Sequence, residues 1–314
     1  NKSEFREMDR CLISDYKGPI YGDCLEVTIM KVQATYIKIQ SRTNIEFEPT
    51  YLDAFNSETS FEKNFFIIYE LINNNNFKLL KDILLHNQKP KNNTQIDCVI
   101  NSNAANNPND SQQQAINLSL GIEDYLIIQG PPGTGKTETI AHIVNENYKQ
   151  NKKIILACFT HKAVNEIIKK MEKINPDLIL YKIGYQADNK EHPNCKHLET
   201  SITNSQQGLK TKIEESNKLI NSCPIYIGTT HAWISGRYDN LFKENKYDIS
   251  IIDEASQALI TNVLGVTRLT KSFILVGDHK QLPPVIQSKN AQDLSETLFE
   301  KLINIDKNPN STNK

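Results

Sequence analysis

Cysteine is sparse in this 314-residue chain and never paired. The six residues Cys11, Cys24, Cys98, Cys158, Cys195 and Cys223 include no CxxC spacing. That pattern suits a reducing interior and argues against a disulfide framework. A surplus of charge is missing as well: 36 Lys and Arg face 37 Asp and Glu, a net charge of -1. This excludes a histone-like or polybasic binder, although a local basic groove fits within a balanced total. No apolar run approaches the ~20 residues of a membrane helix, and no signal-like start is visible, so no membrane partner is expected and an intracellular location is. An initiating Met is also lacking. The chain starts on Asn1 and closes on the loop-like residues 308–314, and so reads as an internal piece of something longer.

What is present suffices for a folded core, with 38% hydrophobic and 23% charged residues. The length allows about two domains of ordinary size. Asn is abundant, as in residues 73–76 and 101–109, without an assignable role, and no internal repeat appears. Residues 24–30 alternate apolar and other side chains, and 36–40 begin to do so again, which predicts two short strands of a small barrel or sheet. From Ser60 the period changes: Phe61, Phe65, Ile68 and Ile72 share one helical face, and Phe77, Leu80, Ile83 and Leu84 mark a second amphipathic helix ending before Pro90. Residues 91–110 read as a polar connector.

Beyond Asp110 short apolar runs recur at 125–129, 153–159, 178–183, 225–228, 249–252 and 273–276, with helical stretches at 136–148 and 161–173. Val164, Ile167, Ile168 and Met171 line one face of the latter. Continuous apolar strands alternating with helices predict an α/β fold, a parallel sheet covered on both sides. Residues 206–221 read as a charged helical excursion from it.

Gly130-Pro131-Pro132-Gly133-Thr134-Gly135-Lys136-Thr137 fits GxxxxGK[ST], follows a predicted strand and opens a predicted helix. Glycines let the backbone wrap phosphates, and the helix N-terminus adds roughly half a positive charge there. Lys136 is placed to reach the β- and γ-phosphates and the Thr137 hydroxyl to ligate Mg²⁺, so a nucleoside triphosphate is the expected ligand. The strand 249–252 ends in Asp253-Glu254-Ala255-Ser256. An Asp there can hold Mg²⁺ through water, and the adjacent Glu254 can take a proton from the attacking water. A further strand ends in Gly277-Asp278-His279-Lys280-Gln281, where the Gln281 amide can bond the γ-phosphate or that water.

Together these motifs resemble the superfamily 1B helicases, motors that move on single-stranded nucleic acid. Asn109-Asp110-Ser111-Gln112 with Ala115 is similar to the Q-motif, which implies that Gln112 reads adenine. Residues 130–137 stand as motif I, 253–256 as motif II in its DEAS form, and 277–284 as motif III. Thr160-His161-Lys162-Ala163-Val164 resembles motif Ia and Gly228-Thr229-Thr230 motif Ic, which implies nucleic-acid contacts at Thr160, His161, Thr229 and Thr230. Within the family the Thr-His-x-Ala-Val form, His192-Pro193, the phrase 246–256 and Ser295-Glu296-Thr297-Leu298-Phe299 are most similar to the replication nuclease–helicases that trim Okazaki-fragment flaps.

The resemblance implies a RecA-like P-loop NTPase domain over 109–314, preceded by a partial β-barrel (1–50) and a helical stalk and connector (51–108). It implies ATP and Mg²⁺ as ligands and single-stranded DNA as partner, with 5′ to 3′ movement and a nuclear location. It also implies a second RecA-like domain carrying transition-state arginines, and an upstream iron–sulfur nuclease domain, neither of which this chain contains. RNA remains open as partner, in the manner of the nonsense-mediated-decay RNA helicase, and so does a nucleotide-switched clamp that does not unwind. Asn165 departs from the family, standing where motif Ia usually carries Asp.

Two further clusters have double readings. His192, Cys195 and His197 are metal-ligand types in six residues but lack a second pair, so a polar loop competes with a zinc site. Trp233 and Tyr238 suit base stacking or a core plug. Cys158, on an apolar strand, reads as packing.

Overall fold

The computed structural model describes residues 10–18, 22–33, 35–41, 43–54, 59–73, 77–86, 90–91, 96–98, 107–184, 192, 194–198, 223–235, 238, 242, 247–281 and 296–307. The expected helical excursion at 206–221 lies outside them. Asn1–Glu62 and Lys63–Lys314 form two compact units.

In the first unit, β1 (Arg10–Ser14), β2 (Cys24–Val32), β3 (Ile37–Ser41) and β4 (Tyr51–Ala54) pair antiparallel in the order β3-β2-β1-β4. Cys11 and Ile13 of β1 and Val27 and Ile29 of β2 form its small core, two residues apart on each strand as the pleat requires. The alternation at 24–30 and 36–40 marks β2 and β3. β1 (RCLIS) and β4 (YLDA) are strands that the alternation at 24–30 and 36–40 does not reach.

The second unit contains α1 (Thr59–Asn73) from Lys63 onward, α2 (Lys78–His86) and α3 (Asp110–Leu120), followed by an alternating series. That series begins with β5 (Tyr125–Gln129), α4 (Lys136–Lys149), β6 (Ile154–Cys158), α5 (His161–Ile174), β7 (Leu180–Lys182) and β8 (Cys195–His197). It continues with β9 (Ile225–Thr229), α6 (Thr230–Ile234), β10 (Tyr247–Ile252), α7 (Ile260–Thr267), β11 (Thr270–Gly277) and α8 (Leu298–Lys307). All seven strands pair parallel, in the order β5-β11-β10-β6-β9-β7-β8. This is the parallel α/β sheet the strand–helix alternation predicts, and it is RecA-like, as the resemblance implies.

Successive residues of β6 feed opposite layers. Ile154, Leu156 and Cys158 pack with Ile116 of α3, Ile140 and Val144 of α4, and Ile167 and Met171 of α5. Ile155 and Ala157 pack with the other layer, which includes Ile67, Leu80, Ile83, Trp233, Val263 and Leu302. Both faces of the sheet are therefore covered, which is why its strands read as unbroken apolar runs.

Helix α1 forms where expected but buries a different face. Phe65 is 71% and Ile72 65% exposed, whereas Ile67 is 3% exposed. The same face carries Glu70, which pairs at 2.9 Å with Arg268 just after α7. Apolar side chains surround this helix (Phe65, Phe66, Ile67, Ile68, Tyr69), so periodicity alone could not choose the buried stripe. Among the described residues no helix is long and apolar enough to cross a membrane.

Candidate functional site

β5 delivers the chain to Gly130, whose N–H donates to the Gly277 carbonyl at the end of the neighbouring β11. The loop then turns into α4 through Gly135, at φ +83°, a left-handed conformation that favours glycine. A side chain at Gly135 would also strike the Gln112 amide, 2.5 Å from an ideal Cβ. Because α4 starts on Gly135 without a side-chain cap, its first N–H groups are left for a ligand.

A cavity of about 520 Å³ lies here, lined by the loop, Lys136, Thr137, Lys170, Glu254 and Gln281, among others. Lys136 Nζ donates to the Gly130 carbonyl at 2.9 Å and stands 3.5 Å from Glu254 Oε1. Lys170 of α5 enters the same cavity, ion-paired with Glu138 in the first turn of α4. Thus the structure brings Lys136, Thr137, Glu254 and Gln281 to one cavity, with Asp253 directly before Glu254.

Asp253 follows β10 and is 7% exposed; its N–H donates to the Ala157 carbonyl and its Oδ1 accepts the Glu254 N–H at 3.0 Å. Burial, then the neighbouring Glu254 charge, pushes its carboxyl up to about 6, against the pull of that N–H and of Lys136. A cation beside it would relieve both penalties, so this carboxylate and the Thr137 hydroxyl are an oxygen donor set that fits Mg²⁺. Glu254 adopts φ 54°, ψ 38°, uncommon for a residue with a Cβ. Its Oε2 is buried and accepts no hydrogen bond from the described residues.

A second cavity of about 310 Å³ shares Pro131 and Lys136 and is lined by Asn109, Ser111, Gln112, Ala115, Ile128 and Thr134, among others. Asn109 and Gln112 form a capping box at the start of α3: Asn109 Oδ1 accepts the Gln112 N–H at 3.0 Å, and Gln112 Oε1 accepts the Asn109 N–H at 2.9 Å. Gln112 Nε2 donates to the Thr134 carbonyl at 3.1 Å. The amide ties α3 to the loop and keeps one N–H and one lone pair in reserve.

The other strand ends are arranged differently. Cys158 of β6 lies opposite Thr229 of β9. Thr160 Oγ accepts the Ala163 N–H and caps α5, while Thr229 Oγ accepts the Ala232 N–H and caps α6. The Thr230 hydroxyl donates to the Cys158 carbonyl. His161 is exposed, yet burial and the nearby Lys182 charge hold its imidazole below the usual value. Phe159, the end of the apolar run 153–159, is 53% exposed beside Thr160 and lies just beyond β6. Asn165 accepts a hydrogen bond from the buried Lys182 at 2.9 Å.

Trp233 is 1% exposed, and its indole N–H donates to the Leu156 carbonyl. Tyr238 is likewise buried and accepts the Gly184 N–H. Both fill the core and are unavailable for stacking. The described residues hold no cluster of three metal-ligand side chains. Instead His192 pairs with Glu172, while Cys195 and His197 are buried on β8. Cys158 is fully buried, as packing requires.

A protein-family model described as an AAA domain matches residues 107–187 and 181–289. The DNA replication ATP-dependent helicase/nuclease DNA2 of Gallus gallus is 34% identical over 203 residues, covering 62% of this chain and 19% of that protein. Its namesake from Xenopus laevis is 34% identical over 196 residues, covering 62% and 18%. That of Saccharomyces cerevisiae is 32% identical over 232 residues, covering 71% and 14%. The chain spans less than about a fifth of the length of these relatives.

Proposed function

Because this chain belongs to the AAA-domain family of P-loop nucleotide-binding proteins, we propose that it is the first motor domain of an ATP-dependent DNA helicase. It hydrolyses ATP to move 5′ to 3′ on single-stranded DNA, within a nuclear replication nuclease–helicase like the relatives named above. A second RecA-like domain and an iron–sulfur nuclease domain are its proposed partners in the complete protein.

The observation that carries this reading is Lys136, held between the Gly130 carbonyl and Glu254 in a cavity that also contains Thr137 and Gln281. The loop N–H groups and Lys136 bind the phosphates, with Lys136 exchanging Gly130 and Glu254 for phosphate oxygens. Glu254, released from that ion pair, takes the proton of the attacking water at its carboxylate. The spare acceptor Oε2 favours this hydrolytic role over a nucleotide-switched clamp. Gln281 orients the water or the γ-phosphate. Thr137 and Asp253 hold Mg²⁺, which neutralises phosphate charge when bound. Gln112 turns its unused N–H and lone pair to the adenine edge, which offers one acceptor and one donor. At the β6 and β9 ends, Thr160, His161 and the segment of Thr229 and Thr230 receive the strand, chiefly by its phosphates.

Titration with a fluorescent ATP analogue tests the reading. Lys136→Ala is expected to abolish binding that the parent protein shows, and near-parental affinity in the variant would overturn it.

A further inference from the structure

Three residues after Glu254 stands Gln257, a side chain that neither motif spacing nor the proposed chemistry uses. It ends the short turn Ala255–Gln257 that follows β10. This turn is fastened to the end of β11 at two points. Ser256 Oγ accepts the Asp278 N–H at 3.2 Å, and Gly277 approaches so closely that an ideal Cβ there would lie 2.9 Å from Ser256 Oγ. Farther out, Gln257 Nε2 donates to Gln281 Oε1 at 2.9 Å. Gln281 is itself anchored through its backbone N–H on the Asp278 carbonyl.

A carboxamide is polar end to end: one side only donates, the other only accepts. With its oxygen bonded to Gln257, Gln281 keeps its NH₂ for the cavity it lines. The acceptors it would meet there are the Glu254 carboxylate and the oxygens of a triphosphate, beside the donors Lys136 and Lys170. With the Gln257 NH₂ facing it as it does here, the opposite orientation would set the Gln281 oxygen against those anions and bring two NH₂ groups together. The surroundings thus favour one polarity, and Gln257 supplies the donor that holds it.

We propose that Gln257 is a positioning residue that fixes the amide polarity of Gln281, so that Gln281 presents a donor to the γ-phosphate. The proposal rests on the nucleotide-binding reading above and adds to it the means by which motif III is kept in register with the turn after motif II. It makes discrimination between triphosphate and diphosphate depend on a residue that touches neither.

The test is the ratio of affinities for a non-hydrolysable ATP analogue and for ADP, which requires no hydrolysis and is unaffected by a uniform loss of folded protein. Gln257→Glu offers only acceptors at neutral pH, draws the Gln281 NH₂ away and turns its oxygen to the cavity. It is expected to lower the ratio about tenfold, the scale of one hydrogen bond to a charged group. Gln257→Lys offers only donors, preserves the polarity and is expected to keep the ratio within about twofold. Equal shifts in the two variants, or none in either, would overturn the proposal. Failure of the parent protein to bind either nucleotide would overturn the nucleotide reading first, and this proposal with it.

Discussion

Five strands of the parallel sheet end in residues singled out by motif, yet they use their polar side chains in opposite ways. At the ends of β5, β10 and β11 capacity is held open: Glu254 Oε2 is buried without a hydrogen bond from the described residues, and Asp253 is pushed up to about 6. Lys136 is shared between a carbonyl and a carboxylate. At the ends of β6 and β9 three hydroxyls are used within the fold, those of Thr160 and Thr229 as helix caps and that of Thr230 on the Cys158 carbonyl. Membership of a motif therefore does not separate side chains with open capacity from side chains that cap helices. Spare hydrogen-bonding capacity and displaced charge do.

The largest effect should come from the open side. Glu254→Gln keeps the size of the side chain but cannot take the proton, and losing a general base costs on the order of 10²–10⁴ in rate. Phosphate release by the full-length protein is expected to fall on that scale while nucleotide binding persists. Turnover near the parental rate would remove the distinction at its strongest point.

Asp253 gives the next largest effect, read as stability in the absence of metal and nucleotide. Burial pushes the folded carboxyl up to about 6 from its ordinary 3.8, so between these values the folded chain holds a proton the unfolded chain has released. This group therefore lowers stability above pH 6, and the penalty fades as the pH falls through 6 towards 4. Asp253→Asn should raise the thermal midpoint at pH 7.5 by the equivalent of up to about 3 kcal/mol, with the gain vanishing near pH 4. Thermal melts in a chelator across that range decide it. A variant less stable than the parent at pH 7.5 would show that the site does not penalise the charge.

The hydroxyls of the other edge should answer in stability alone. Thr229→Ala removes the cap of α6 and should cost about 1 kcal/mol. Single-strand affinity in the full-length protein is expected to change less than about twofold at fixed salt, since this hydroxyl is engaged on the Ala232 N–H and one neutral contact adds little to binding carried by many phosphates. A large loss of affinity at unchanged stability would show that this hydroxyl serves the strand directly.

The phosphate loop was legible because eight consecutive residues, 130–137, carry it between a strand and a helix. Asp253 and Glu254 were legible because an apolar run ends abruptly in two carboxylates. What stayed hidden depends on partners distant in sequence. Gln257 differs from any polar turn residue only through Gln281, 24 positions on. Lys170 enters the phosphate cavity through Glu138, 32 positions earlier and on another helix. The buried stripe of α1 meets Arg268, 198 positions after Glu70. Trp233 shows the converse, since the residue type suits two roles and only its hydrogen bond to the Leu156 carbonyl and its packing against Phe242 decide between them.

The smallest effect concerns Asn165, whose amide oxygen accepts the hydrogen bond of the buried Lys182. Lys182 is 4% exposed, and burial holds its ammonium below the usual value; its donor bond to the neutral Asn165 oxygen compensates only in part. Asn165→Asp would set a carboxylate of the same shape at that oxygen. A charge-assisted bond exceeds a neutral one by roughly 1 kcal/mol, and desolvating the new carboxylate takes back a share, so a gain below about 1 kcal/mol is expected at neutral pH. The second readout is His161, whose imidazole is held below its usual value by burial and then by the Lys182 charge. A new negative charge beside Lys182 offsets that repulsion, so the His161 titration followed by NMR should move upward. Destabilisation together with an unmoved His161 would mean that the asparagine serves the buried lysine better than the carboxylate does, and that this edge is tuned to remain uncharged.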